Sequence, residues 1–147
     1  MSGIIVGVDE SAHSRNALRW AMHEAVLRQV PLTVMTVRPS PARPATMAFW
    51  GLHTYSADDQ DLVRTAVQKA VDKVAGEIGG TQPEVTVSVT AGNPAEELVN
   101  ASRDADMLVV GSRGSGGFGR LMMGSVSSQV SHHAACAVVI IPEHRAH

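Results

Sequence analysis

Met107-Leu108-Val109-Val110-Gly111-Ser112-Arg113-Gly114-Ser115-Gly116-Gly117-Phe118-Gly119-Arg120-Leu121-Met122-Met123-Gly124-Ser125-Val126-Ser127-Ser128 opens as a short apolar run, passes through glycines and continues with helical character. A buried strand that ends in glycine and resumes as a helix is the βα turn of an open α/β sheet. Such a turn suits phosphate. Glycines let backbone N–H groups approach phosphate oxygens, and the start of the following helix adds a dipole that favours an anion. Ser125 and Ser127 offer hydroxyl donors, and Arg113 or Arg120 offers positive charge. By composition alone the same stretch also describes a flexible glycine loop between a strand and a helix.

Outward from this turn, four further β-branched runs read as strands, at residues 4–8, 32–37, 85–89 and 138–141. Helical spacing fills the gaps. The first helix sets Leu18, Ala21, Met22, Ala25 and Val26 on one face, with Ser11 or Ser14 as its N-cap. The second runs over residues 58–78, starts with Asp58, Asp59 and Asp61, and turns Leu62, Val63, Val67, Val71 and Val74 inward until Gly79-Gly80 stops it. A third, short helix starts at Asn93-Pro94 with Glu96 and Glu97 in its first turn. A fourth covers residues 125–134. Alternating strands and helices predict an α/β domain with an open parallel sheet, right-handed crossovers and helices on both faces. Residues 38–57 are rich in Pro and Ala, carry Met47, Phe49, Trp50 and Tyr55, and have no period; they read as a long loop, either a lid or a surface insertion.

The chain's 147 residues form one domain, with its core between residues 4 and 142. A composition 44% hydrophobic and 18% charged is that of a globular chain that folds alone. Cys136 is the sole cysteine and cannot form an internal disulfide, which points to a reducing cytoplasm. The first residues run straight into Ile4-Ile5-Val6 without the features of a signal peptide, and no apolar run reaches the roughly 20 residues of a membrane span. A formal net charge of −2 and scattered arginines argue against a nucleic-acid surface. A free nucleotide needs only a local site.

Three phosphate motifs can be tested against the glycine stretch. Walker A fails, because no Lys-Ser or Lys-Thr follows a glycine where it should. Gly114, Gly116 and Gly119 satisfy Gly-x-Gly-x-x-Gly, but the dinucleotide fingerprint belongs on an early βαβ unit with a later acidic partner, and only Glu143 follows here. Ser115-Gly116-Gly117 looks like a pyrophosphatase-type loop but lacks its Asp-Ser. A more specific spacing does fit: Gly111, two residues, Gly114, nine residues, then Gly124-Ser125. Together with Val6-Gly7-Val8-Asp9-Glu10-Ser11 and Val138-Val139-Ile140-Ile141-Pro142, it resembles the universal stress protein family, in its ATP-binding branch.

That resemblance spans residues 4–142 and implies a Rossmann-like, five-stranded parallel sheet of order 3-2-1-4-5. It implies an ATP site in which the end of the first strand, Gly7, Val8 and above all Asp9, meets the ribose or adenine, and Val37 lines the adenine pocket through its backbone. Val110, Gly111, Arg113 and Gly114 would follow the ribose and phosphates, and Gly124, Ser125, Val126 and Ser127 would close around the triphosphate. It also implies a homodimer through residues 138–141, and an exposed apolar edge strand needs a partner on physical grounds too.

The resemblance implies a cytoplasmic stress-response protein and a dimeric, nucleotide-responsive sensor or regulator; binding rather than catalysis is expected because no acidic or histidine base accompanies the glycine stretch to activate water. Two alternatives stand beside it. One is a slow ATPase in which Asp9 holds Mg²⁺ and Arg113 or Arg120 stabilises phosphate charge. The other keeps the fold and takes cyclic AMP or AMP, since one phosphate can use part of the same cradle. His132 and His133 are helix neighbours whose side chains diverge, so a shared metal is not expected. His13 reads as an exposed residue near a helix start, Cys136 as a buried thiol beside the last strand, and Met122 and Met123 as core filling.

Overall fold

The computed structural model describes residues 3–9, 12–38, 57–112 and 124–142. Among these residues, five strands and four helices alternate: β1 (Ile4–Gly7), α1 (Ala12–Arg28), β2 (Leu32–Arg38), α2 (Ala57–Ile78), β3 (Val85–Ala91), α3 (Pro94–Ser102), β4 (Met107–Gly111), α4 (Ser125–His133) and β5 (Ala137–Ile141). The strands form one parallel sheet in the order β3-β2-β1-β4-β5, as expected. Their ends lie within about two residues of the expected ones, the usual spread where a ladder frays.

The sheet splits its apolar residues by parity. Val6, Val34, Val87 and Val109 belong to one core with Leu18, Ala21 and Met22 of α1 and Val71 and Val74 of α2. Met35, Leu108 and Val110 face the other way and pack with Leu98 of α3 and Val130 of α4. Consecutive strand residues thus enter two different cores, which is why β4 is apolar at every position from Met107 to Val110.

Two details differ from expectation. Leu62 is 68% exposed, because the inward face of α2 follows Val63, Val71 and Val74, and position 62 lies more than about a third of a turn from the middle of that face. Ser14 is not an N-cap: it lies inside α1, and its hydroxyl donates back to the Asp9 carbonyl at 2.9 Å. Ser11 and residues 39–56, with the expected long loop, lie outside the described residues. No helix among the described residues is long and apolar enough to cross a membrane.

Candidate functional site

β1 lies between β2 and β4, and the chain moves to one side of it after β1 and to the other after β3. The carboxyl ends of β1 and β4 therefore border the crevice at which the strand order reverses. Val6 pairs with Val109, and one register step further brings Gly7 beside Val110. A Cβ on Gly7 would lie 3.0 Å from Leu98 Cδ1 and 3.5 Å from Val110 Cγ1, so close packing of α3 already favours glycine there. Beyond it, Val8 donates its N–H to the Met35 carbonyl at 2.9 Å, and Asp9 follows as an exposed residue at the head of the crevice.

Backbone parity sets what β2 presents to this crevice. The Met35 carbonyl points toward β1, and in a strand the N–H and C=O of residue i+2 point the same way. The N–H and C=O of Val37 are thereby directed to the β1 side, past the last β1 pairing. The Val37 side chain packs into the α3 and α4 core, so its backbone is what faces the crevice.

The far wall is built around one carbonyl. Ser112 donates its N–H to the Ile141 carbonyl at 2.8 Å, and its own carbonyl accepts the Gly124 N–H at 2.7 Å. The two flanks of residues 113–123 are in this way tied to each other at the end of β4. The buried Ser127 hydroxyl turns inward to the Ser112 and Gly124 carbonyls, 3.0 Å from each, so Ser127 offers the crevice its N–H rather than its hydroxyl. Ser125 is exposed, Val126 half-buried and Val110 buried; Arg113, Gly114, Arg120, Trp50 and Tyr55 lie outside the described residues.

The starts of α3 and α4 differ in a way that matters for anions. The Asn93 side chain accepts the Glu96 N–H at 3.1 Å, Pro94 removes a donor, and Glu96 and Glu97 sit at the positive end of α3. α4 begins at Gly124 with no side-chain cap and no acidic residue in its first turn. The first helical bond there runs from Ser128 N–H to the Gly124 carbonyl, leaving the N–H groups of Ser125, Val126 and Ser127 without an intrahelical partner. The first helix start is neutralised from within; the second is open to an anion from outside.

Cys136 and the two histidines that end α4 lie at the amino ends of the strands, away from this site. Cys136 is half-buried rather than buried, and this partial burial, followed by the nearby Asp106 charge, pushes its thiol up from its ordinary range. His132 and His133 are both exposed, with ring centroids 6.3 Å apart. Sequence reasoning missed Thr36, whose Oγ1 is buried with no hydrogen-bond partner and whose side chain borders a cavity under α1 and α2. Its signal was one hydroxyl in the run Val34-Met35-Thr36-Val37, whose other members are apolar.

The sequence pattern of the universal stress protein family matches residues 1–142. The chain belongs to the universal stress protein family. A universal stress protein of Mycolicibacterium smegmatis is 37% identical over 144 residues, which cover 95% of this chain and 47% of that protein. The chain thus spans about half the length of the curated relatives it matches. Among solved structures, a universal stress protein from Lactobacillus plantarum shares the fold with a TM-score of 0.78 at 24% identity, covering 95% of this chain and 97% of that one. The universal stress protein from Archaeoglobus fulgidus, in complex with dAMP, has a TM-score of 0.66 at 26% identity, covering 96% of this chain and 98% of that one.

Proposed function

We propose that this chain binds an adenine nucleotide, ATP first among them, across the carboxyl ends of β1 and β4, and works as a dimeric nucleotide-responsive regulator of the stress response. The observation that carries this is the uncapped start of α4, hydrogen-bonded onto the end of β4 where the sheet reverses its order. The N–H groups of Ser125, Val126 and Ser127 take phosphate oxygens, with Gly111, Arg113, Gly114 and Gly124 along the ribose and phosphates. Asp9 accepts from the ribose hydroxyls, and the Val37 N–H and C=O match the donor and acceptor edge of adenine. Gly7, Val8 and Val110 hold these groups in register. The dAMP complex of the Archaeoglobus relative supports an adenine nucleotide in this fold.

Titration calorimetry of the purified chain with ATP, with and without Mg²⁺, tests the reading. Saturable binding is expected, and Asp9→Ala weakens it about ten- to a hundredfold by removing charge-assisted hydrogen bonds. Absence of binding at submillimolar ATP would sink it. A monophosphate ligand is the second reading, favoured by the dAMP in that relative. Competition separates the two: AMP or cyclic AMP displacing a fluorescent ATP analogue better than ATP does would select the monophosphate.

A further inference from the structure

β5 and β3 stand at the two edges of the sheet. β3 reads Val85-Thr86-Val87-Ser88-Val89-Thr90-Ala91, a stretch of 7 residues without a charge or a proline and rich in β-branched side chains. Such a strand pairs readily with another copy of itself. One bond sets the direction of its backbone groups. The Glu84 carbonyl accepts the Leu32 N–H at 2.8 Å and so faces β2, and the direction reverses at each residue. Val85, Val87, Val89 and Ala91 therefore turn their N–H and C=O groups outward, which is the row a further strand would use.

One group in that row is taken. Arg64 of α2 reaches over the edge and donates from Nη1 to the Val87 carbonyl at 2.7 Å. Arg64 is exposed, and the ion pairs among the described residues, Arg19–Glu77 and Arg28–Glu24, do not involve it. A strand approaching β3 needs the Val87 carbonyl, so it must either push the guanidinium off or enclose its charge without a counter-ion. The charge-assisted hydrogen bond resists the first, and the cost of burying an unpaired charge opposes the second. Pro83 and Glu84 on one flank and Pro94 on the other bracket the same stretch, as gatekeeper residues do. β5 differs: among the described residues, no charged side chain donates to its carbonyls. We propose that Arg64 closes the β3 edge against a second copy of this chain, which leaves β5 as the edge open to association. Neither nucleotide binding nor a β5 dimer is needed for this, because Arg64 acts at the opposite edge.

Sedimentation velocity of the full chain and its variants, at concentrations up to about 100 µM, tests it. Arg64→Ala reaches about twice the mass of the unaltered chain or more, as pairs through β3 if β5 stays single and as open chains of copies if both edges pair. Arg64→Lys keeps a charge and a donor and stays at the mass of the unaltered chain. Hydrogen exchange read by mass spectrometry locates the contact, since exchange over residues 85–91 slows when Arg64→Ala associates. Arg64→Ala that keeps the mass of the unaltered chain at every concentration overturns the proposal, and lost stability without growth would make the bond a tether of α2 only. Growth with unchanged exchange over residues 85–91 places the contact elsewhere and overturns it too. Arg19→Ala, which removes an exposed arginine contact from α1, is the control; equal growth there would mean that any weakened surface contact causes association. If Arg64→Ala does not fold, Arg64→Met decides the matter, because it keeps an apolar stem of similar length and loses both charge and donor.

Discussion

Valine and threonine differ by one atom, and at position 36 that atom is an oxygen sealed from water with nothing to bond. Thr36→Val therefore stabilises the chain by about 1 kcal/mol, the part of the desolvation cost that an unpaired hydroxyl carries in a protein core. A denaturant midpoint that rises with an unchanged slope is the expected result; a fall of similar size would mean that the hydroxyl is paired in solution. The same residue marks a limit of reading at this scale. A hydroxyl in an apolar strand is visible in the sequence, but whether its neighbours satisfy it depends on α1 and α2 arriving from far along the chain. Ser127 repeats the lesson. Its place in the glycine-serine stretch was legible, yet the direction of its hydroxyl, inward to the Ser112 and Gly124 carbonyls, depends on how α4 docks on β4.

Helices and strands were the most legible level, because period and caps are local. Gly79 and Gly80, at φ +67° and +70°, end α2 in the left-handed region, and Asn93-Pro94 starts α3 as its residues dictate. Leu62 went astray because a helix face two residues wide in the sequence allows more than one inward direction, and only packing chooses. Gly92 is the turn between β3 and α3, with φ +145° and its N–H donated to the Arg38 carbonyl at 2.7 Å. A Cβ there would meet Glu97 Oε1 at 2.8 Å. Gly92→Ala is expected to cost about 1–3 kcal/mol in chemical denaturation, mostly as backbone strain that a shift of the Glu97 side chain does not relieve. The open start of α4 yields a prediction with two opposed readouts. Ser125→Glu places a carboxylate at the positive end of the helix, so stability holds or rises by about 0.5 kcal/mol. ATP affinity should fall by about tenfold or more as the carboxylate repels phosphate. Stability and affinity that fall together would instead indicate a disturbed helix.

At the scale of the whole molecule, β5 is an edge strand whose Val138, Val139, Ile140 and Ile141 are only half-buried. The Ile141 carbonyl faces β4, since it accepts from Ser112, so by parity Val138 and Ile140 point their N–H groups outward. If two copies pair along this edge, Val138→Pro removes an outward donor without touching the β4 ladder. Light scattering at about 100 µM, a concentration at which a Kd near 1 µM is well saturated, should then show a dimer for the unaltered chain and a monomer for the variant, with unchanged helix content. A dimer that persists would move the interface elsewhere. The strand order itself was read through family resemblance, because periodicity identifies strands but does not rank them. What binds at the reversal of that order is the central claim. Native mass spectrometry of the freshly purified chain, followed by denaturation and identification of whatever is released, tests it most directly. The account predicts an adenine nucleotide on the chain, or its stoichiometric uptake when ATP is added. A chain that carries none and takes up neither ATP, AMP nor cyclic AMP would contradict it.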